Sequence, residues 1–196
     1  MTDFSFLQVR NPKEDETPIE SATQIFASVL PYPYIPLLKR LLFVHPKTYA
    51  FEIYLINQLV YFYATTPKTS ETLVQSLIVS SFPQSKVTKT TDPMDIIFKS
   101  KYLGIGEVAT NSYSYMPIKT YFDFKDVDPL SALVGFMAKQ PPQFRMAVQF
   151  VVTPPYYAWQ EQGVKAAGSQ FYDEAAQKYS MSPLKLSIMK KTTFQA

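Results

Sequence analysis

Phe51-Glu52-Ile53-Tyr54-Leu55-Ile56-Asn57-Gln58-Leu59-Val60-Tyr61-Phe62-Tyr63-Ala64 is the stretch on which the fold turns. Phe51, Ile53 and Leu55 alternate with Glu52, Tyr54 and Ile56, the period of two that a strand requires. Leu59 to Ala64 is a second run, fully apolar and aromatic, built from residue types that favour strands. Asn57-Gln58 between them predicts a hairpin turn, because Asn tolerates positive φ. Thr66-Pro67 then opens a helix whose stripe is Leu73, Leu77 and Ile78, and Pro83 ends it. Ser85 to Thr90 reads as a polar strand at a sheet edge. Residues 51–92 thus form a strand-strand-helix-strand unit.

The same order recurs over residues 104–153. Gly104 to Thr110 and Tyr113 to Lys119 read as strands about the turn Asn111-Ser112. Asp128-Pro129 supplies an N-cap and a first-turn proline. Leu130, Leu133, Val134 and Met137 follow at i, i+3, i+4 and i+7, the strongest helix signal in the chain, and Pro141-Pro142 closes it. Arg145 to Thr153 is a strand apolar on both faces, which predicts a central place in its sheet. The repeat is one of pattern, since the residues themselves differ. Two such units predict an α+β fold, an antiparallel sheet with helices packed on one face.

The flanks complete four segments: 1–50, 51–92, 104–153 and 156–196. In the first, Thr17, Pro18 and Glu20 mark a helix start, with Ile19, Ala22, Phe26 and Leu30 as its stripe. A proline-punctuated connector follows, carrying Leu37, Leu38, Leu41, Leu42 and Val44. Either this patch packs on the core, or Leu37, Lys39, Arg40 and Leu41 make a peripheral contact with a membrane surface or partner. In the last segment, Tyr156 to Tyr179 is rich in Ala, Gln, Glu and Lys and reads as a C-terminal helix, weakened by Gly163 and Gly168. Thr192 to Ala196 looks like the opening of a strand, so the segment is expected to be a truncated piece.

Composition narrows the chemistry by exclusion. A chain of 196 residues that is 46% hydrophobic has room for a core, and 18% charge weighs against disorder. The absence of cysteine excludes disulfides, thiol catalysis and sulfur-ligated zinc, and one histidine, His45, excludes multi-histidine metal sites. Five glycines against sixteen prolines weigh against phosphate-cradling loops. Net charge +3 is short of a nucleic-acid footprint. Met1 to Arg10 lacks an apolar signal region, and no run approaches the length of a membrane span.

Individual motifs lead the same way. Gly104-Ile105-Gly106-Glu107-Val108-Ala109 matches the dinucleotide fingerprint in letters, but turn and strand residues follow where a helix must open. Asp123, Asp126 and Asp128 lack calcium-loop spacing, and His45 has no partner at a motif spacing. No cofactor, metal or catalytic residue is expected. Tyr61, Phe62 and Tyr63, with Tyr113, Tyr115, Tyr121, Phe122 and Phe124, could stack single-stranded bases beside Lys86, Lys89, Lys99 and Lys101. Packing in a core or interface is favoured, because aromatics are also good strand formers.

Met116-Pro117-Ile118-Lys119-Thr120-Tyr121-Phe122-Asp123-Phe124, followed by Asp128-Pro129-Leu130-Ser131-Ala132-Leu133, resembles the N-terminal accessory region of membrane-associated, conjugation-type (type IV secretion, HerA/FtsK-like) ATPases of candidate-phyla bacteria. Leu7 to Lys13, Ser21 to Leu30, Phe51-Glu52-Ile53 and Trp159 agree with that region in order, so the resemblance spans most of residues 7–163. Lys190 to Ala196 is similar to the start of a strand that follows there. The family's ATP-binding motor and membrane segments are not in this sequence. The resemblance implies a non-catalytic scaffold at the cytoplasmic side, either free there or at the inner face of the membrane. Its partners would be a motor domain, a membrane complex or further copies of itself. Pro117, Lys119, Tyr121, Phe124 and Trp159 are the candidate contact residues. Direct single-stranded nucleic-acid binding and an enzyme site assembled only on folding are the rival readings. Lys119→Glu is expected to weaken partner association while leaving thermal stability unchanged. A variant that changes neither would count against the contact.

Overall fold

The computed structural model describes residues 4–12, 17–30, 47–109, 111, 129–153, 162, 171–173 and 178–180. The chain divides into two compact units, residues 1–104 with 126–154, and residues 105–125 with 155–196.

The first unit is an open antiparallel sheet of five strands: β1 (Phe4–Arg10), β2 (Tyr49–Ile56), β3 (Leu59–Pro67), β4 (Lys86–Thr90) and β5 (Met146–Val152), in the order β4-β1-β3-β2-β5. The α+β class expected from the sequence is thus the observed one. Asn57 and Gln58 form the predicted tight turn, with φ of 51° and 63°. Positive φ at both central residues matches the turn to the right-handed twist of its strands. It sets Ile56 opposite Leu59 and carries the pairing on to Ala50 opposite Thr65.

That register places Tyr49, Phe51, Ile53 and Leu55 on one face with Leu7 and Val9 of β1, Val60, Phe62 and Ala64 of β3, and Met146, Val148 and Phe150 of β5. Helices α1 (Ala22–Val29), α2 (Glu71–Ser81) and α4 (Pro129–Ala138) supply the residues that pack on it. Ile25, Val29, Val74 and Ile78 close over Leu7, Tyr49 and Ala64. Met137, with Leu133 and Val134 beside it, covers Ile53 and Leu55. A short helix α3 (Met94–Phe98) follows β4, and Arg145 Nη1 at the foot of β5 donates to the Ile96 carbonyl, 3.1 Å.

Helix ends follow local chemistry. The first helical turn, Ile19–Ser21, is tightened, with Ser21 N–H donating to the Pro18 carbonyl at 3.0 Å. α2 stops at Ser81 because Phe82, ahead of Pro83, is driven to extended backbone (φ −129°, ψ 82°). Glu71 at the start of α2 accepts from Lys89 Nζ at 2.7 Å and from Ser5, which ties the helix to β4 and β1. These two donors hold the Glu71 carboxyl below its ordinary range.

Several expectations need correction. The last strand of the second pattern unit pairs with β2 of the first, within one sheet. Residues 104–109 have no helix or strand, and 113–119 lie outside the described residues. β5 is an edge strand, not a central one, with Phe150 46% and Val151 62% exposed. β1 was not anticipated, although Ser5, Leu7 and Val9 alternate there with Phe4, Phe6 and Gln8, and it sits between β3 and β4. The C-terminal helix is contradicted at residues 171–173 and 178–180. In the second unit these form a two-stranded ribbon, β6 (Phe171–Asp173) and β7 (Lys178–Ser180), pairing Tyr172 with Tyr179. The helix stripes are also turned by one position. α1 buries Ile25 and Val29 rather than Phe26, and α2 buries Val74 with Ile78 rather than Leu73.

Asn is well suited to the first turn position, but Gln58 holds positive φ against its Cβ. Gln58→Gly should therefore raise stability by about 0.5–1 kcal/mol, read as a higher urea midpoint. A lowered midpoint would mean that the turn does not carry this strain.

Candidate functional site

The helix-bearing face is not evenly covered. α1 and α2 pack toward Leu7 and Ala64, whereas α4 packs toward Leu55. A groove of about 730 Å³ lies between them. Val9, Phe51, Ile53, Val60 and Phe62 floor it through the strand register just described. Ala22 and Phe26 of α1, Ile78 and Phe82 at the end of α2, Leu130 of α4 and Phe150 of β5 form its sides. Phe26 and Phe51 meet with ring centroids 5.1 Å apart at 59°. Phe62, Phe150, Phe26 and Leu130 are each 40–46% exposed, so the walls present large apolar surface. Gln8, Arg10 and Asn11 give one end a polar border. A space with this lining suits an apolar ligand or the apolar face of another polypeptide segment.

The opposite face carries a buried polar cluster. Glu52 is only 3% exposed. Its Oε1 accepts from Thr65 Oγ1 of β3 at 3.0 Å and from Gln149 Nε2 of β5 at 2.8 Å, while Oε2 has no hydrogen-bond partner. The buried Tyr54 hydroxyl stands near it but also makes no bond of good geometry. The Tyr54 ring meets Tyr63 edge-on at 5.2 Å. Arg10 Nη2 donates to Gln8 Oε1 at 2.8 Å, and Gln8 Nε2 reaches the Tyr63 hydroxyl at 3.4 Å. Burial pushes the Glu52 carboxyl above its ordinary value of 4.5, the hydrogen bonds from Thr65 and Gln149 oppose this, and the charge of Asp92 adds a smaller rise. Burial likewise pushes the Tyr54 hydroxyl upward. This cluster ties strands together. Sequence reasoning passed over Glu52, although a lone carboxylate amid YAFEIYLI was the available signal.

Pro117, Lys119, Tyr121, Phe124 and Trp159 all lie outside the described residues, as do Leu37, Lys39, Arg40, Leu41, His45, Asp123, Asp126 and Asp128. The aromatic run of β3 is split by the pleat, with Phe62 on the groove face and Tyr61 and Tyr63 on the other. Tyr63 is held in the cluster, Lys89 is paired to Glu71, and Lys101 lies 5.3 Å from the Tyr102 ring centre. Tyr113, Tyr115, Tyr121, Phe122 and Phe124 lie outside the described residues. Among the described residues, no group of three or more His, Asp or Glu could hold a metal, and no helix is long and apolar enough to cross a membrane. No family model, no curated protein and no solved structure matches this chain.

The upward shift of the Glu52 carboxyl gives a testable sign. Its raised folded value means the linked stability is present at and below 4.5, where the unfolded chain also holds the proton. That stability falls as pH rises through the folded value. Glu52→Gln stays neutral, so its urea midpoint should gain on the native chain's as pH rises from 4.5 through the folded value. A gap that stays constant as pH rises would show that folding leaves the Glu52 carboxyl unshifted.

Proposed function

We propose that this chain is a non-catalytic interaction module of a type IV secretion or conjugation-like DNA-translocation ATPase, docking the motor to its membrane complex or to neighbouring subunits on the cytoplasmic side. The observation that carries this reading is the aromatic groove over Phe51, Phe62 and Phe150. Interfaces concentrate aromatic anchors at a desolvated centre and place polar groups at the rim, and the groove has this arrangement, with Arg10 and Asn11 at its border. The resemblance carried by Met116 to Phe124 and Asp128 to Leu133 supports the choice of parent machine. Binding here works by surface complementarity: a partner's apolar side chains enter between α1 and α4, while charged residues around the mouth fix orientation.

A photo-cross-linking side chain placed at Phe62, in the protein expressed in its own cells, tests this directly. Cross-linked peptides from a translocation ATPase or its membrane complex are expected. Phe26→Glu, at the groove wall, should reduce their yield by about tenfold or more. Products limited to unrelated proteins would sink the reading. So would a titration in which single-stranded DNA binds tightly with a steep salt dependence.

A further inference from the structure

We infer that the outer edge of β5 pairs with β5 of a second copy of this chain, antiparallel, continuing the sheet across a two-fold axis. The two edges of the sheet differ in kind. The β4 edge carries Lys86 and Lys89 in a five-residue strand, and such charges oppose strand addition. β5 has seven residues, Met-Ala-Val-Gln-Phe-Val-Val, with no charge, no proline and no glycine. It pairs with β2 along its whole length, from Tyr49 opposite Val152 to Leu55 opposite Met146. Among the described residues, no strand lies on its other side. Its backbone donors and acceptors on that side form a template for another strand.

The side chains select the partner. Phe150 and Val151 are 46% and 62% exposed and point to opposite faces, so β5 is apolar above and below the sheet. Interior strands show that pattern, because they are buried on both faces. A neighbour on the outer side makes β5 an interior strand. Two identical strands meeting antiparallel form an isologous contact, in which one patch need fit only itself. An uncharged strand brings no like charges face to face across such an axis. Arg145, the nearest charge, is tied back to the Ile96 carbonyl. Phe150 also lines the groove, so pairing at β5 brings the grooves of the two copies side by side. The inference rests on the edge alone and stands whether or not the groove receives a translocation ATPase.

Sedimentation equilibrium of the full chain, with amide hydrogen exchange on the same samples, tests it. The mass should rise from 22.4 kDa to twice that value with concentration, and exchange at residues 146–152 should slow in step. Val151→Lys should weaken the dimer by about tenfold or more, whereas Val151→Thr should retain it. If Val151→Lys does not fold, the concentration dependence of exchange in the native chain decides. A mass of 22.4 kDa at every concentration overturns the inference. In that case fast exchange in β5 would mean a free edge, and slow exchange would mean an edge covered from within the chain. A dimer untouched by Val151→Lys overturns it as well, since another surface would hold the copies together.

Discussion

The pairing register of β2 with β3 is the constraint on which the rest of this structure depends. A two-residue turn with positive φ at Asn57 and Gln58 leaves no slack between the strands. A slip of one residue would send Phe51, Ile53 and Leu55 to the wrong face and bring Glu52 and Tyr54 under the helices. The register is secured a second time from the other side. Glu52 accepts from Thr65 on β3 and Gln149 on β5, so one carboxylate spans three neighbouring strands. The turn sets the pairing locally. The carboxylate rewards it only when β5, almost a hundred residues away in sequence, is also in place.

The buried cluster has a cost that shapes its chemistry. Glu52 Oε2 and the Tyr54 hydroxyl are left without partners in a place that water does not reach. An ionised carboxylate there loses solvation that two hydrogen bonds at the other oxygen replace only in part. That loss pushes the Glu52 carboxyl above its ordinary value. Perturbed carboxyls often mark catalytic sites, but they do so within a cleft. Here Glu52 is among the residues that line the groove, while its side chain belongs to the face of the sheet opposite Phe51 and Ile53.

Much of the fold was legible in the sequence, and the reasons differ from element to element. The hairpin, α2, β4 and α4 were readable because each is specified by neighbours within a few positions: Asn57 in its turn, Pro83 after a helix, Leu130 to Met137 at helical spacing. β1 was missed because a strand next to an edge is recognised only once its partners β3 and β4 are known. The C-terminal ribbon was missed because helix propensity is a weak prior, and pairing of Tyr172 with Tyr179 is a tertiary choice. The groove was not legible at all. Its lining comes from β1, β2, β3, β5 and three helices, and its space exists only because α1 and α4 pack on different ends of the same face. The candidate contact residues from Pro117 to Phe124 rest on sequence resemblance alone.

β5 shows most clearly what hydrophobic patterning reports. Apolar residues on both faces of Arg145 to Thr153 pointed to a central strand, and the isolated chain places that strand at an edge. A sequence records the surroundings in which a protein is selected to be stable, and those include its partners. A charged edge such as β4 is compatible with solvent as it stands. An uncharged edge with Phe150 and Val151 exposed on opposite faces is a liability in a solitary molecule and an asset in an assembly. The mismatch between pattern and position at β5, beside the aromatic groove, is what the proposed pairing with a second copy would resolve.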